Sequence, residues 1–393
     1  MKNFLKLLVY IFYGFPLTLI IIILRPIILF RFQQMMSERI GHFATNTELY
    51  LCEKKFQINC PKKKHIDIFC FGKIVSNKYL ANLWKKKIYI FSYFFIVPII
   101  KCLNLIDKNK IHQIPHNTMS DKDVHNLFDN TEAFIKLSKE EIEKGYQKLK
   151  NFNISPNSKF VSVVVRDDDY LKLVFPDRDY SNHNYRDFKI ETFFPCFEEL
   201  TKRGYLVLRM GMAGIAPINL NNKMVIDYAN SEIRSDFMDI FIGSQCKFHL
   251  RTAGYGAVPT IFRRPVLNLN EPLGELDTFC KKDLLLIKDH YCLKSHRILN
   301  LDEIFSKDLA FDVSQQKLEK ADVELRENSE DIRKATIEMV NRLEGNFEIN
   351  NQDKKKQDLF WNKYDDKLKY INKRNLHGAF KSKFSTDYLK KLI

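Results

Sequence analysis

The chain has 393 residues, 45% of them hydrophobic, and a formal net charge of +15. That is more chain than one ordinary core organises, so two α/β domains are expected and no disulfide staples are needed. The charge leaves three anionic partners, nucleic acid, lipid headgroups and phosphorylated substrates; with no helix-turn-helix, zinc-knuckle or RRM signature, nucleic acid falls last and a membrane surface fits better.

The apolar segment Phe4 to Leu24 is interrupted only by Lys6, Thr18 and the Gly14/Pro16 break, and it lacks a small-residue cleavage site, so it stays in the mature chain. Its length can span a bilayer, while Pro16 and the following Arg25 equally suit a helix lying in the interface. An ordinary buried first helix is the plain alternative. Basic residues precede the segment as well as follow it, with Arg25 and Arg31 after it, so the positive-inside rule lends only weak support to a cytoplasmic body.

Residues 27–145 read as a first Rossmann-like domain. Ile27 to Phe32 is a strand, Arg39-Ile40-Gly41-His42 a turn, and Phe43 to Lys54 a helix. Ile66 to Phe71 is the next strand and Asn77 to Lys87 the next helix. Ile88 to Val97, rich in aromatic and β-branched residues and limited by Pro98, reads as a third strand, with a second membrane span over Ile88 to Ile106 as the competing reading. His112 to Asp129 is polar and irregular, and Ser138 with Glu141 makes a capping box for a helix to Lys150.

The second domain, residues 146–345, starts with the continuous apolar strand Phe160 to Val165, followed at once by Arg166-Asp167-Asp168-Asp169-Tyr170. Ile190 to Arg203 is a helix closed by Gly204, and Tyr205 to Arg209 a strand ending in Met210-Gly211. Met224 to Tyr228 is a short strand and Ser235 opens a helix to Gln245. Phe248 to Arg251, the small-residue turn Thr252 to Gly256, a short helix and Pro265 to Leu269 form a strand-turn-helix-strand unit whose turn amides suit a phosphate. Leu284 to Ile287 is one more strand, and Lys317 to Leu343 reads as helical. The tail, residues 346–393, is a basic helical element, with twelve Lys/Arg against five Asp/Glu from Asn351 onward, expected to pack back on the first domain or touch anionic lipid.

Cys52, Cys60, Cys70, Cys102, Cys196, Cys246, Cys280 and Cys292 show no CxxC or Cys/His ligand spacing, so they read as reduced, mostly buried thiols. No nucleophile elbow, Walker loop or GxGxxG fingerprint occurs, against serine hydrolase, ATPase and dehydrogenase chemistry. Three strand ends of one parallel sheet remain: Arg166 to Tyr170, Arg209 to Gly211 and Thr252 to Gly256. Two arginines beside a small-residue turn suit a diphosphate, because guanidinium pairs bidentately with phosphate oxygens. A salt bridge to Asp167, Asp168 or Asp236 is the plain reading of either arginine alone. Asp167 to Asp169 also permits a metal site of DxD type, but capping a turn or pairing with arginine is simpler. His42 is the best general-base candidate, ahead of His249 and His116, since imidazole titrates near neutrality; packing or capping is its ordinary use. Glu48, on the same helix, is not on His42's face.

On the segments RIGHFATNTELYLC (Arg39 to Cys52), VSVVVRDDDYL (Val161 to Leu171), Asn184 to Gly211, Ile226 to Pro272 and LHGAF (Leu376 to Phe380), the chain resembles a family of bacterial glycosyltransferases with a GT-B-like layout. The resemblance covers about half the chain. It implies an α/β protein of two Rossmann-like domains facing across a cleft, the second holding a nucleotide sugar and the first the acceptor. Arg166, Asp167, Arg209, Gly211, Arg234, Asp236, Thr252 and Gly254 fall on donor-side motif positions, with Ala253 and Tyr255 in the same turn. Arg39, Gly41 and His42 fall on the first-domain motif. Tyr255 can stack on a base or simply pack. The expectation is a membrane-associated glycosyltransferase at the cytoplasmic face of the inner membrane, taking a nucleotide sugar as co-substrate with no obligatory cofactor or metal. Its acceptor would be a hydroxyl of a membrane-linked or surface glycan such as lipopolysaccharide. Nucleotide-sugar epimerisation or hydrolysis, and a non-catalytic glycan- or lipid-binding scaffold, are the alternatives.

Overall fold

The computed structural model describes residues 10–115, 122–166, 177, 179, 181–212, 215–252, 254–269, 273–276, 279–311, 313–371 and 382–393. The start of the apolar segment, His116, Asp167 to Tyr170, Ala253 and the LHGAF segment therefore lie outside the described residues. The chain divides into two compact units, residues 1–121 with 133–135 and residues 122–132 with 136–393.

In the first unit a π-helical turn, Tyr10–Gly14, leads into α1, Phe15–Leu24. Pro16 sits in the first turn of α1, where its missing N–H removes no helical bond. Three parallel strands, β1 (Leu29–Gln34), β2 (His65–Cys70) and β3 (Tyr89–Phe91), pair in that order. Helices α2 (Ile40–Lys55) and α3 (Lys78–Lys85) connect them, and Asn77 caps α3 by accepting from the Leu80 amide at 2.7 Å. The sheet holds a buried ion pair: Arg31 of β1 lies opposite Asp67 of β2 and donates Nε and Nη2 to it, each at 2.7 Å, while the Tyr50 hydroxyl donates to the same carboxylate at 2.7 Å. Burial would raise the Asp67 pKa, but the bonds from Arg31 and Tyr50 overcome it and hold the carboxyl below its usual range.

The third strand is shorter than the sequence suggests. It ends at Phe91, Ser92 accepts from the Phe94 amide at 3.3 Å, and a helix, α4 (Tyr93–Ile106), runs straight through Pro98. A continuous apolar run has no period to separate strand from helix, so the serine cap decides. Pro98 is buried beside Gly14, whose hypothetical Cβ would stand 3.2 Å from the Pro98 Cβ. Among the described residues no helix is long and apolar enough to cross a membrane.

The second unit is built on seven parallel strands. They are β4 (Phe160–Val164), β5 (Leu206–Met210), β6 (Val225–Ile226), β7 (His249–Arg251), β8 (Val266–Asn268), β9 (Leu284–Leu285) and β13 (Lys383–Phe384). Their spatial order is β13-β9-β8-β7-β4-β5-β6. The chain winds outward from β4 to β6, then returns to the other side of β4 with β7, which is the doubly wound order of a Rossmann-like sheet. All five residues of β4 are buried, as a strand covered on both faces requires.

Helix α5 (Lys139–Leu149) carries the Ser138/Glu141 capping box and lies in this unit. Helix α6 (Phe194–Lys202) precedes β5 and is followed by Gly204 at φ +78°, a conformation a side chain would strain. Helix α7 (Asp236–Gln245), capped by Ser235, leads to β7, and α8 (Ala257–Ile261) joins β7 to β8.

Two expectations are corrected here. The stretch Lys317 to Leu343 is not one helical run: after α9 (Leu301–Ser306) come α10 (Gln315–Lys320), Asp322 at φ +52°, strand β12 (Val323–Arg326), and α11 (Ser329–Leu343) capped by Asn328. Strand β12 pairs antiparallel with β10 (Asp289–Cys292), which also pairs with β11 (Arg297–Ile298). The tail joins the second unit's core rather than the first unit's surface. Phe360, Trp361, Tyr364 and Leu368 of α12 (Asn351–Tyr370) are buried there, the Tyr364 hydroxyl donates to the Leu273 carbonyl at 2.5 Å, and β13 and α13 (Thr386–Leu392) follow as sheet edge and cover. The aromatic stripe, not the lysines, decides where this helix goes.

None of the eight cysteines forms a disulfide, and seven are buried. Asp283 is buried at the start of β9, accepting from the Val266 amide at 2.8 Å and the Cys280 amide at 3.1 Å. Burial pushes its pKa up to about 7. An acid whose folded pKa is raised stabilises the fold below its unfolded pKa and loses that contribution as pH rises towards the folded value. The Asp283 contribution should therefore fall between about pH 4 and pH 7, read as the difference in denaturant stability between wild type and Asp283→Asn across that window. A difference that does not change with pH would mean that Asp283 does not titrate there.

Candidate functional site

The strand order puts β5, β4 and β7 side by side, so the ends marked by Arg209 to Gly211, Arg166 and Thr252 to Gly256 are neighbours on one carboxyl edge. Between β4 and β7 the winding direction reverses, and such a switch point leaves a crevice at the strand ends. Thr252 ties its two sides together. Its amide and hydroxyl both donate to the Val164 carbonyl, at 3.2 and 2.9 Å, and its hydroxyl oxygen accepts from the Arg166 amide at 2.6 Å.

Arg166 emerges from β4 with its side chain one-fifth exposed, and its Nε donates to Asp187 Oδ1 at 3.0 Å. Burial, then the nearby charge of Arg186, lowers its pKa, which leaves a guanidinium fully charged at neutral pH. Asp187 leads to Lys288, which follows β9 on the same edge. The buried Lys288 ammonium donates to the Tyr185 carbonyl at 3.1 Å and to the Asp187 carbonyl, and sits 3.7 Å from Glu327. Burial pushes its pKa down to about 8 despite Glu327 and Asp187. Tyr185, Asp187, Lys288 and Glu327, but not Arg166, line a cavity of about 550 Å³ together with Asn182, Asn184 and Gln316. Amides and carboxylates dominate the lining, which suits a ligand rich in hydroxyls better than one rich in phosphate.

The other expected donor-side residues are engaged elsewhere. Arg209 is 5% exposed and its guanidinium is held by Asp227 Oδ1 at 2.9 Å and the Ala216 carbonyl at 3.2 Å. Asp227 in turn accepts from the Ile218 amide and from Asn230, so the pair pins the loop after β5 instead of presenting a cation to the crevice. Arg234 donates to the Gly211 carbonyl at 3.0 Å and lies 3.6 Å from Asp239. A Cβ on Gly211 would stand 2.6 Å from Ile215, so close packing explains that glycine. Asp236 occupies the first turn of α7, where a carboxylate complements the helix dipole. Burial raises the Asp239 pKa to about 6, against Arg234 and the Tyr228 hydroxyl that donates to it at 2.8 Å.

Tyr255 packs. Its hydroxyl donates to the Asp239 carbonyl at 2.6 Å and its ring meets His249 edge-on with centroids 5.5 Å apart. His249 is itself buried, bonded to Ser162 Oγ at 2.8 Å, with burial and then Arg251 taking its pKa down to about 3, so it stays neutral and structural. Gly254 is exposed in the turn, and Gly256 is required because its Cβ would fall 2.3 Å from Arg251 Cδ. The helix after the turn, α8, has only five residues, so the turn itself rather than a helix dipole would meet an anion.

In the first unit Arg39 is the extended residue before α2, and Gly41 and His42 lie in its first turn, at the carboxyl end of β1. Glu48 is fully buried and accepts from the Phe134 amide at 3.1 Å, a structural use. Among the described residues no group of His, Cys, Asp and Glu is arranged to hold a metal ion. Asp187, Asp227 and Lys288 were not singled out by the sequence; the rule that marked Arg166, a charge just past an apolar strand, also marks Lys288 after Leu284 to Ile287.

No family model matches the chain, and no curated protein matches it significantly. Among solved structures it is similar to the glycosyl transferase family 9 from Veillonella parvula DSM 2008, with a TM-score of 0.39 and 10% identity over 65% of this chain and 85% of that one.

Proposed function

We propose that this protein is a glycosyltransferase that takes its sugar from a nucleotide-sugar donor bound at the switch point of the second unit. The observation that carries the reading is the bond that ties Arg166 to the Thr252 turn at the switch point of a doubly wound sheet, with the Arg166 guanidinium held by Asp187, a residue that lines the hydroxyl-suited cavity. Arg166 and the exposed backbone of the turn at Gly254 would hold the diphosphate, and Asn182, Asn184 and Asp187 would take hydroxyls of the donor. In the reaction the acceptor oxygen forms a bond to the anomeric carbon as the bond from that carbon to the diphosphate breaks. Charge builds on the leaving diphosphate, where a fixed guanidinium is most effective. The acceptor proton goes to a general base, for which His42 of the first unit is the candidate.

The Arg209 and Tyr255 environments favour a framework role for both. Purified full-length protein incubated with UDP-, GDP- and ADP-sugars, with and without a membrane glycolipid extract, should release nucleoside diphosphate only when acceptor is present. Release without acceptor, or an epimerised donor, would instead assign a hydrolase or epimerase. His42→Ala should lower turnover with donor affinity retained.

A further inference from the structure

Among the described residues the first unit exposes a broad apolar surface. On α1 and the turn before it Phe12 is 76% and Ile23 73% exposed; on α4 Phe94 is 63% and Leu105 83% exposed. Phe15, Leu19 and Ile23 follow one another at four-residue spacing, so they form one face of α1, and Gly14, Thr18 and Ile21 on the other side are buried. The two helices are locked together. A Cβ on Gly14 would stand 3.1 Å from Cys102 Sγ and 3.2 Å from Pro98 Cβ, and the Tyr13 and Phe95 rings lie 5.9 Å apart.

Their inner sides, with Ile21, Ile96, Val97 and Leu103, share one cluster with Phe32 of β1 and Cys70 of β2. A helix with one flank fixed on a sheet cannot be surrounded by hydrocarbon, because the sheet would have to enter with it. Yet an unpartnered apolar patch of this kind is rare on a protein that meets only water. Charge identifies the occupant. No Asp or Glu occurs between Tyr10 and Ser37 or between Lys78 and Ile106, whereas Arg25, Lys85, Lys86, Lys87 and Lys101 lie in those stretches. Lys85, Lys86 and Lys87 are exposed just before exposed Tyr89, and Lys101 projects from α4 with its ammonium 5.6 Å from the Tyr10 ring.

We propose that the outer faces of α1 and α4 together form a monotopic docking surface for an anionic lipid bilayer. The aromatic and aliphatic side chains enter the boundary between headgroups and acyl chains, and the lysines meet the headgroups. This surface lies wholly in the first unit and stands whether or not the donor-site reading does.

Full-length protein should co-sediment with phosphatidylcholine vesicles containing about 30 mol% phosphatidylglycerol at least tenfold more strongly than with phosphatidylcholine alone. Ile23→Ser on α1 and Phe94→Ser on α4 should each weaken partitioning, and the double variant should lose at least tenfold with circular dichroism and Tm unchanged. Replacing Lys85, Lys86 and Lys87 with glutamine should remove the preference for the anionic vesicles. Absence of vesicle binding by wild type, or equal binding by the folded double variant, overturns the proposal. So does a concentration-dependent dimer that the double variant abolishes without any vesicle binding, which would assign the face to a second copy of the chain. Nucleoside diphosphate binding by the double variant should match wild type, which keeps this test separate from that of the donor site.

Discussion

Arg166→Ala is expected to lower kcat/KM for sugar transfer by on the order of 10²–10³, the usual loss when one fixed donor to a developing anion is removed. Its stability should change by no more than about 1 kcal/mol, because the pair with Asp187 is partly open to solvent. The backbone part of the switch point survives this substitution, since Thr252 bonds the Arg166 amide and the Val164 carbonyl rather than the side chain. Arg166→Lys should recover only part of the rate, because an ammonium cannot pair bidentately with phosphate. Steady-state kinetics with a saturating acceptor and denaturant melts on the same preparations separate the two effects. A stability loss as large as that of a core variant would show Arg166 to be framework.

Arg209→Ala should do the reverse. The buried Arg209 guanidinium pairs with the half-buried Asp227 and also holds the Ala216 carbonyl, and removing it leaves that carboxylate without its cation, at a cost of up to roughly 3–5 kcal/mol. That is a large share of the roughly 5–15 kcal/mol that stabilises a typical domain, so the variant should melt well below wild type and give a lower yield of folded protein for that reason alone. Asp227→Asn is the milder companion: it keeps the shape and some hydrogen bonding of the loop anchor but removes the charge. Unfolding transitions of both variants, read by tryptophan fluorescence and circular dichroism, give the comparison. A well-folded Arg209→Ala protein that has lost only donor affinity would return Arg209 to the crevice.

These two arginines show where the sequence was legible and where it was not. Both follow apolar strand residues, and strand-end position is readable from pattern alone, so the sequence places both on the carboxyl edge. What distinguishes them is the partner. Asp187 and Asp227 lie 21 and 18 positions from their arginines, separations over which no local spacing rule operates. The doubly wound sheet was legible because its central strands are continuous apolar runs bounded by capping and turn residues, as at Ser138, Gly204 and Ser235. Strand β12 and helix α4 were not: one is a four-residue strand inside a charged helical pattern, the other an apolar run in which Pro98 reads as the end of a strand. Both outcomes depend on tertiary partners, β10 for the strand and Gly14 for the proline. The tail's lysines drew attention to its charge, while Phe360, Trp361 and Tyr364 fixed its position in the second unit.

The central claim is that the crevice between β4 and β7 binds a nucleoside diphosphate through Arg166. Isothermal titration of UDP, GDP and ADP into full-length wild type and Arg166→Ala, at one salt concentration, tests it most directly. Wild type should bind one of the three saturably, and the folded variant should bind it at least tenfold more weakly. Equal affinity in the two proteins, or no binding of any of the three by wild type, would contradict it.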